Sequence, residues 1–414
     1  MTDITVQTTA ELQKTTELMK RKLSDFQSQM IERLGKVQGS RGAYLKLLQQ
    51  REKALAFISK NPIIFFSILL SVLSIIFYFV FVYKRIERFL LRTDAYEMQP
   101  VSLSDNLEII TSNFKLCDFY IASSYKSFLP CNNYYDYASI RAVRKNLILG
   151  ARLIDLDVFN DTFDEDTTPV ICAGDEIGNW HYTNSISFDE TCKMISQTAF
   201  NGSAVSNPSD PLFLSINFKT WYNKKTIDKC AEILKKYFTN KFLDQKYDYQ
   251  GRETNADLSR VPITQLFNKV IIICTGNIKN TLMDELCNLH HKASVIFRRY
   301  NHLEIKDNYD GNELKEYNKQ NLSIVVPKFD KRIKDNFNYL TAWYWGCQFI
   351  CMNYTEPTDY MRSYAKRFKN CSFVLKKYQL RYNPRTIEIP QRQNSAVSMA
   401  PKKEILPSGV VVTV

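Results

Sequence analysis

Residues 150–161 read GARLIDLDVFND, and residues 211–218 read PLFLSINF. Each is a nearly continuous apolar run, a pattern typical of a strand covered on both faces in a parallel sheet. Six further runs recur with crossover-length segments between them: LCDFYIA (116–122), PVICAG (169–174), KVIIICTG (269–276), SIVVPK (323–328), QFICMNY (348–354) and SFVLKK (372–377). Eight such strands within 105–382 predict an α/β fold, a (β/α)8 barrel of the TIM type, whose functional side chains lie at the carboxyl ends of the strands.

A second stretch, IIFFSILLSVLSIIFYFVFVY (63–83), contains 21 residues without a charge. About 20 apolar residues are what a helix needs to cross a bilayer, so we expect a transmembrane helix at 61–83 that contacts lipid through 63–83. The 60 residues before it argue against a cleaved signal peptide. Basic residues are equally frequent on its two sides, so the sequence predicts a single-pass membrane protein and leaves its topology and its membrane open.

The region before this helix, residues 1–60, is predicted to be helical or coiled-coil-like. An apolar stripe with spacings near three, four and seven runs through 9–37, and it consists of Leu12, Met19, Leu23, Phe26, Met30 and Val37. Such a stripe predicts self-association or pairing with another membrane protein. A helix lying on a membrane surface would show the same pattern, and the stripe is too short to decide between the two.

The charge balance is basic, since 55 Lys and Arg against 43 Asp and Glu give a net charge of +12. This favours anionic surfaces. Nucleic acid is not an expected partner, because the basic residues form no dense run and no recognition motif is present. No CxxC pair occurs among the ten cysteines, and the chain contains no P-loop, HExxH or GxSxG motif. Residues 84–104 are predicted to be a linker and 383–414, with four prolines, a disordered tail.

Several motifs carry a family resemblance. SSYKSF (123–128), GARLIDLDVFND, PVICAG and PLFLSINF resemble, in order and spacing, the X region of eukaryotic phosphoinositide-specific phospholipases C. Residues 326–381 resemble the Y region of the same family, above all in WGCQ, MNYTEP and FVLKKYQLR. The resemblance implies a TIM-barrel phosphodiesterase domain at 105–382, with the X region at about 114–276 and the Y region at about 323–381.

The catalytic histidines that the resemblance implies are both replaced. Enzymes of that family use one histidine as a general base on the inositol 2-hydroxyl and a second at the phosphate, together with Ca2+. The first motif, which in the family resembles Ser-Ser-His-Asn, here reads SSYK (123–126), and the third, His-Gly in the family, reads AG (173–174). Tyr125 and Ala173 therefore occupy the two histidine positions, and the sequence assigns no catalytic residue.

The metal site that the resemblance implies is weakened. Asp155 and Asp157 match two calcium ligands, and Asn217 stands where the family has a glutamate. Lys126 replaces a calcium-binding Asn, and we expect its ammonium to pair with Asp155 or Asp157 and displace the metal. No cofactor is therefore expected.

The substrate-holding residues of the family also have no counterpart. Its lysines after the fifth strand fall in 271–277, which contains none, and its Arg-x-Tyr falls at Ile324 and Val326. The substrate-binding residues therefore stay unassigned.

One histidine offers a substitute base. His181 follows the third predicted strand on the catalytic face, whereas His290 and His291 fall in the stretch between the two regions and are expected to be peripheral. We therefore expect a membrane-anchored, phospholipase-C-like barrel that has lost catalysis and serves as a binding or structural module at a membrane. The alternative is an active phosphoric diester hydrolase, a phosphoinositide phospholipase C with a rearranged active site that uses His181 and Ca2+.

Overall fold

The computed structural model describes residues 61–94, 96, 98–130, 137–162, 164, 166–175, 181–248, 256–292, 294–308, 310–328 and 336–383, with short pieces of the first 60 residues and of 403–413. The chain divides into two compact units, Met1–Tyr83 and Lys84–Val414.

The long apolar helix begins in the first unit. Helix α1 spans Pro62–Asp94, and its window Pro62–Lys84 is the one segment among the described residues that is long and apolar enough to cross a membrane. The hydroxyls of Ser67 and Ser71 donate to carbonyls one turn earlier, at 2.8 and 2.9 Å, so these polar groups are satisfied within the helix. Of the predicted stripe, Met19 and Leu23 lie in described helical pieces and are about half exposed. Leu12, Phe26, Met30 and Val37 lie outside the described residues.

The second unit is built on eight parallel strands. Its strands, with those of a short terminal hairpin, are β1 (Phe119–Ser124), β2 (Leu153–Asn160), β3 (Pro169–Gly174), β4 (His181–Ser187), β5 (Leu212–Lys219), β6 (Val270–Thr275), β7 (Leu289–His290), β8 (Phe297–Asn301), β9 (Leu322–Val326), β10 (Phe349–Met352), β11 (Phe373–Leu375), β12 (Lys403–Ile405) and β13 (Val411–Thr413). The parallel strands pair in the order β7-β6-β5-β2-β1-β10-β9-β8 and form a nearly closed barrel. The predicted (β/α)8 fold is confirmed.

Amphipathic helices cover the barrel. The described helices of this unit are α2 (Leu107–Thr111), α3 (Ile140–Ile148), α4 (Phe188–Ala199), α5 (Lys224–Phe238), α6 (His302–Asn308), α7 (Gly311–Gln320), α8 (Leu340–Tyr344) and α9 (Asp359–Arg367). In α5 the buried residues Ile227, Cys230, Ala231 and Leu234 recur at helical spacing and face the core. The helix begins after Asn223, whose side chain accepts the Thr226 N–H at 3.2 Å.

Two of the eight predicted barrel strands pair differently. β3 runs antiparallel to β2 and to β4, and β11 runs antiparallel to β1. The barrel instead includes β7 and β8, which the sequence did not predict. β7 has only two residues and β8 reads FRRYN, so neither shows the apolar run on which the prediction relied.

Both segments predicted to be irregular contain ordered pieces. In the linker, Tyr96 and Met98 are buried, and the N–H groups of Gln99 and Val101 donate to the carbonyls of Lys369 and Asn370 at 3.1 and 3.0 Å. In the tail, β12 and β13 pair as an antiparallel hairpin, which differs from the prediction of disorder, while 384–402 lie outside the described residues. The end of the linker is therefore packed against the barrel domain.

Candidate active site

A cavity of about 510 Å3 opens at the carboxyl ends of the barrel strands. Strands β2, β3, β5, β6, β8 and β9 contribute to its wall, together with helix α6 and the residues after β1, β3, β7 and β9. Its lining includes Tyr125, Lys126, Asp157, Asn217, Lys219, Thr275, His291, Arg299, Tyr300, Glu304 and Lys328. The cavity therefore lies where the barrel fold was expected to place function.

The three residues proposed as metal ligands come together beside this cavity. Asp155 and Asp157 lie two residues apart on β2, so both side chains leave the same face of the strand, and Asn217 on β5 lies opposite Asp157. The Asn217 Nδ2 atom donates to the Oδ1 atoms of both aspartates, each at 2.9 Å. All three side chains are buried.

Lys126 supplies a positive charge within this cluster. Its ammonium forms an ion pair with Asp157 Oδ2, and both side chains are almost entirely buried. Its backbone N–H donates to Asp155 Oδ2 at 3.2 Å. Of the two pairings expected from the sequence, the one with Asp157 is formed.

Arg299 brings a second cation to the cluster from the opposite side. The Asn217 Oδ1 atom accepts from Arg299 Nη1 at 3.1 Å and from Thr275 Oγ1 at 2.8 Å. The Asn217 amide is thus oriented, with its nitrogen towards the aspartates and its oxygen towards donors.

This arrangement does not fit a divalent cation. Ca2+ binds six to eight oxygen ligands, whereas here the Asn217 amide nitrogen donates to both aspartates and the Lys126 ammonium pairs with Asp157. Within the described ranges, no group of three or more His, Cys, Asp or Glu side chains is placed to hold a metal.

The positions of the two replaced histidines carry no imidazole. Tyr125 lies in the turn after β1, where its N–H donates to the Met352 carbonyl at 2.9 Å, and its side chain is buried. Ala173 is fully buried in β3. Neither side chain replaces the family's histidine base, because a methyl group has no proton to exchange and a phenol ordinarily stays protonated at neutral pH.

The structure exchanges the expected roles of two histidines. His181 is the first residue of β4, opposite Gly174, and it lies outside the cavity lining. Its side chain is exposed, and its ring packs edge-on against Phe159 with centroids 5.3 Å apart. His291, expected to be peripheral, lines the cavity. Burial, with the positive charge of Arg299, lowers the pKa of His291 to about 4, so its imidazole is neutral at pH 7.

Three cavity cations were missed by sequence reasoning. Lys219 ends β5, Arg299 lies on β8 and Lys328 follows β9, and all three line the cavity. They do not occupy the positions at which the resemblance implied substrate-holding cations. One signal was available, since Lys219 directly follows the predicted strand LSINF at a carboxyl end.

Comparisons with known proteins agree with this architecture. The model of the phosphatidylinositol-specific phospholipase C X domain matches residues 112–275, and that of the Y domain matches residues 267–379. The 1-phosphatidylinositol 4,5-bisphosphate phosphodiesterase classes I and II of Drosophila melanogaster is 27% identical over 162 residues, which cover 37% of this chain and 11% of that protein.

Two solved structures show the same fold. The crystal structure of L. pealei PLC21 aligns with a TM-score of 0.53 at 16% identity, covering 68% of this chain and 40% of that one. S. officinalis PLC21 aligns with a TM-score of 0.51 at 16% identity, covering 68% and 39%. The chain thus spans less than half the length of each of these relatives.

Proposed function

The chain belongs to the phosphatidylinositol-specific phospholipase C family, and we propose that it is a membrane-anchored member whose barrel binds an anionic lipid headgroup without hydrolysing it. The observation that carries this proposal is the content of the cavity. Four cationic side chains and three carboxylates line it, and one of those carboxylates, Asp157, is paired with Lys126. The two histidine positions hold Tyr125 and Ala173.

The absence of paired proton-transfer groups supports the loss of hydrolysis. Cleaving a phosphodiester through a neighbouring hydroxyl needs a base at the nucleophile and an acid at the leaving group. His291 is the one histidine lining the cavity among the described residues, and a single neutral imidazole cannot fill both roles at once. The carboxylates that would organise a metal are engaged by Lys126 and Asn217.

The cavity suits a ligand that carries phosphate. A guanidinium binds phosphate oxygens through two parallel hydrogen bonds, and ammonium groups add point charges. Arg299, Lys219 and Lys328 bring these groups to one opening. Its volume of about 510 Å3 lies within the range of pockets that hold small organic ligands.

Helix α1 supports the membrane part of the proposal. Its window Pro62–Lys84 has the length and composition of a bilayer-spanning helix, and its side chains are exposed. Such a helix would keep the barrel close to lipid headgroups and raise their effective concentration.

Turnover and binding by the full chain in lipid nanodiscs test this proposal. With phosphatidylinositol or its bisphosphate in the nanodisc, we expect no release of soluble inositol phosphate with Ca2+ or with a chelator. Soluble inositol trisphosphate should bind, and the double variant Arg299→Ala/Lys328→Ala should bind at least tenfold more weakly. Lys366→Ala, an exposed lysine on α9, is the matched control and should bind normally.

Turnover above that of empty nanodiscs would overturn the loss of hydrolysis. His181→Ala and His291→Gln would then show which histidine is the base. Binding that is equal in the double variant and the wild type would instead refute the cavity as the headgroup site.

A further inference from the structure

The carboxylates of Asp155 and Asp157 form a buried pair beside the cavity, with 0% and 2% of their surfaces exposed. Two carboxylates in such a site cannot both stay ionised unless hydrogen bonds and positive charge compensate for lost hydration. The compensation must come either from the chain itself or from a bound cation.

The chain supplies this compensation at all four carboxylate oxygens. Asp155 Oδ1 accepts from Ser215 Oγ at 2.8 Å and from Asn217 Nδ2 at 2.9 Å, and Asp155 Oδ2 accepts from the Lys126 N–H. Asp157 Oδ1 accepts from Asn217, and Asp157 Oδ2 meets the Lys126 ammonium. Lys126 therefore contacts both aspartates, one through its backbone and one through its charge.

The backbone around Lys126 is held in a conformation that lysine rarely adopts. Its φ angle is +44°, in the left-handed region that is unfavourable for a residue with a Cβ. Hydrogen bonds of 2.9 Å fix both neighbours, from the Tyr125 N–H to the Met352 carbonyl and from the Ser127 N–H to the Asp155 carbonyl. The Asp155 N–H in turn donates to Ser127 Oγ at 2.9 Å. This turn therefore directs the Lys126 side chain between β1 and β2 towards Asp157.

We propose that the Lys126 ammonium is the resident cation of this cluster, and that removing it uncovers a divalent-cation site at Asp155 and Asp157. The proposal follows from charge: without the ammonium, the two buried carboxylates keep the neutral donors of Ser215, Asn217 and the backbone but lose the ion pair with Lys126. A hard cation such as Ca2+ is the ligand that such oxygens take. The Lys126 ammonium would then make headgroup binding in the cavity independent of calcium. This consequence alone rests on the function proposed above.

Thermal unfolding of the full chain in detergent, with Ca2+ or with a chelator, tests this proposal. The wild type should unfold at the same temperature in both, because the ammonium already occupies the site. Lys126→Ala should gain about 5 °C at a calcium concentration 100 times its dissociation constant. Lys126→Arg keeps the charge and should behave like the wild type, while Lys126→Ala/Asp157→Asn should lose the calcium response.

Terbium luminescence provides a second readout that does not depend on a sharp unfolding transition. Tyr125 neighbours Lys126 in the cavity wall, so Tb3+ bound at the aspartates should be sensitised by tyrosine excitation in Lys126→Asn and not in the wild type. Calcium stabilisation of the wild type equal to that of Lys126→Ala would overturn the proposal. So would the absence of any metal response in Lys126→Ala and Lys126→Asn. Neither metal readout uses a lipid, so a failure of headgroup binding would leave this result unchanged.

Discussion

Replacing Lys376 by methionine should stabilise the barrel at neutral pH. The Lys376 side chain is fully buried, and its ammonium donates to the Asn318 carbonyl at 3.0 Å. Burial lowers the pKa of Lys376 from its usual 10.5 to about 8. Each tenfold change in proton affinity corresponds to about 1.4 kcal/mol, so burying the charged lysine costs the folded state about 3 kcal/mol.

Methionine has a similar length and leaves no acceptor without a donor. The Asn318 carbonyl also accepts from Gln348 Nε2 at 2.9 Å, so it stays hydrogen-bonded when the ammonium is removed. The buried Asp118 carboxylate loses an attractive charge, although it keeps the N–H groups of Lys115 and Tyr382. The expected gain at pH 7 is therefore about 1–3 kcal/mol.

The pH dependence separates this explanation from simple repacking. Below pH 8 the lysine is protonated in both the folded and the unfolded chain, so its cost is present in full. Between pH 8 and 10.5 the unfolded chain binds more protons than the folded chain, and wild-type stability rises with pH relative to the variant. Urea unfolding of the full chain in detergent should show the gap between Lys376→Met and the wild type closing over this range. A less stable variant at pH 7, or a gap that does not change with pH, would refute the reasoning.

Three further changes test other parts of the fold. Arg152→Met should destabilise by about 3–5 kcal/mol in urea unfolding, because Arg152 donates to the carbonyls of Ala199 and Asn207 and offsets the buried charge of Asp210. Gly150→Ala should lower the free energy of unfolding by roughly 2–4 kcal/mol, because φ is +87° and a Cβ would lie 2.3 Å from Pro100 Cγ. Gly202→Ala is the near-neutral control, because its Cβ would lie 3.7 Å from the nearest atom. If the N-terminal stripe mediates self-association, Met19→Asp with Leu23→Asp should abolish cross-linked oligomers of the full chain in detergent, and unchanged cross-linking would exclude that role.

Most of the barrel could be predicted from apolar runs. β2, β5, β6, β9 and β10 each read as an apolar run, and the structure places all five in the parallel sheet. β8 could not be found in this way, because Arg299 and Tyr300 turn its sequence polar where it lines the cavity. Of the two missed strands, β8 carries part of the site, and its polar residues there serve the cavity rather than the apolar pattern of a buried strand.

The residues of the candidate site also differ in whether the sequence could place them. Asp155, Asp157 and Asn217 could be grouped from sequence, because the family resemblance assigns all three to one metal site. The structure brings them together because the two aspartates share one face of β2 and Asn217 lies on the neighbouring β5. His291 could not be placed from the sequence, since its place depends on β7, a strand of two residues that pairs with β6. The predicted position of His181 on the catalytic face was wrong for a different reason. His181 was predicted to lie in a loop, but it begins strand β4, which pairs with β3 rather than with the barrel.

The cavity cations fall into two groups that act on different observables. Lys126 is paired with Asp157, so it neutralises the chain's own carboxylate and adds little field for an incoming anion. Lys219 and Lys328 line the cavity without belonging to this cluster, and Arg299 contacts the cluster through the neutral Asn217 amide, so these charges are placed to act on a ligand. Removing Lys126 should therefore change metal response and stability, whereas removing Arg299 should change anion affinity and its dependence on salt. If both variants moved both observables equally, the carboxylate cluster and the headgroup cavity would be one electrostatic unit rather than two.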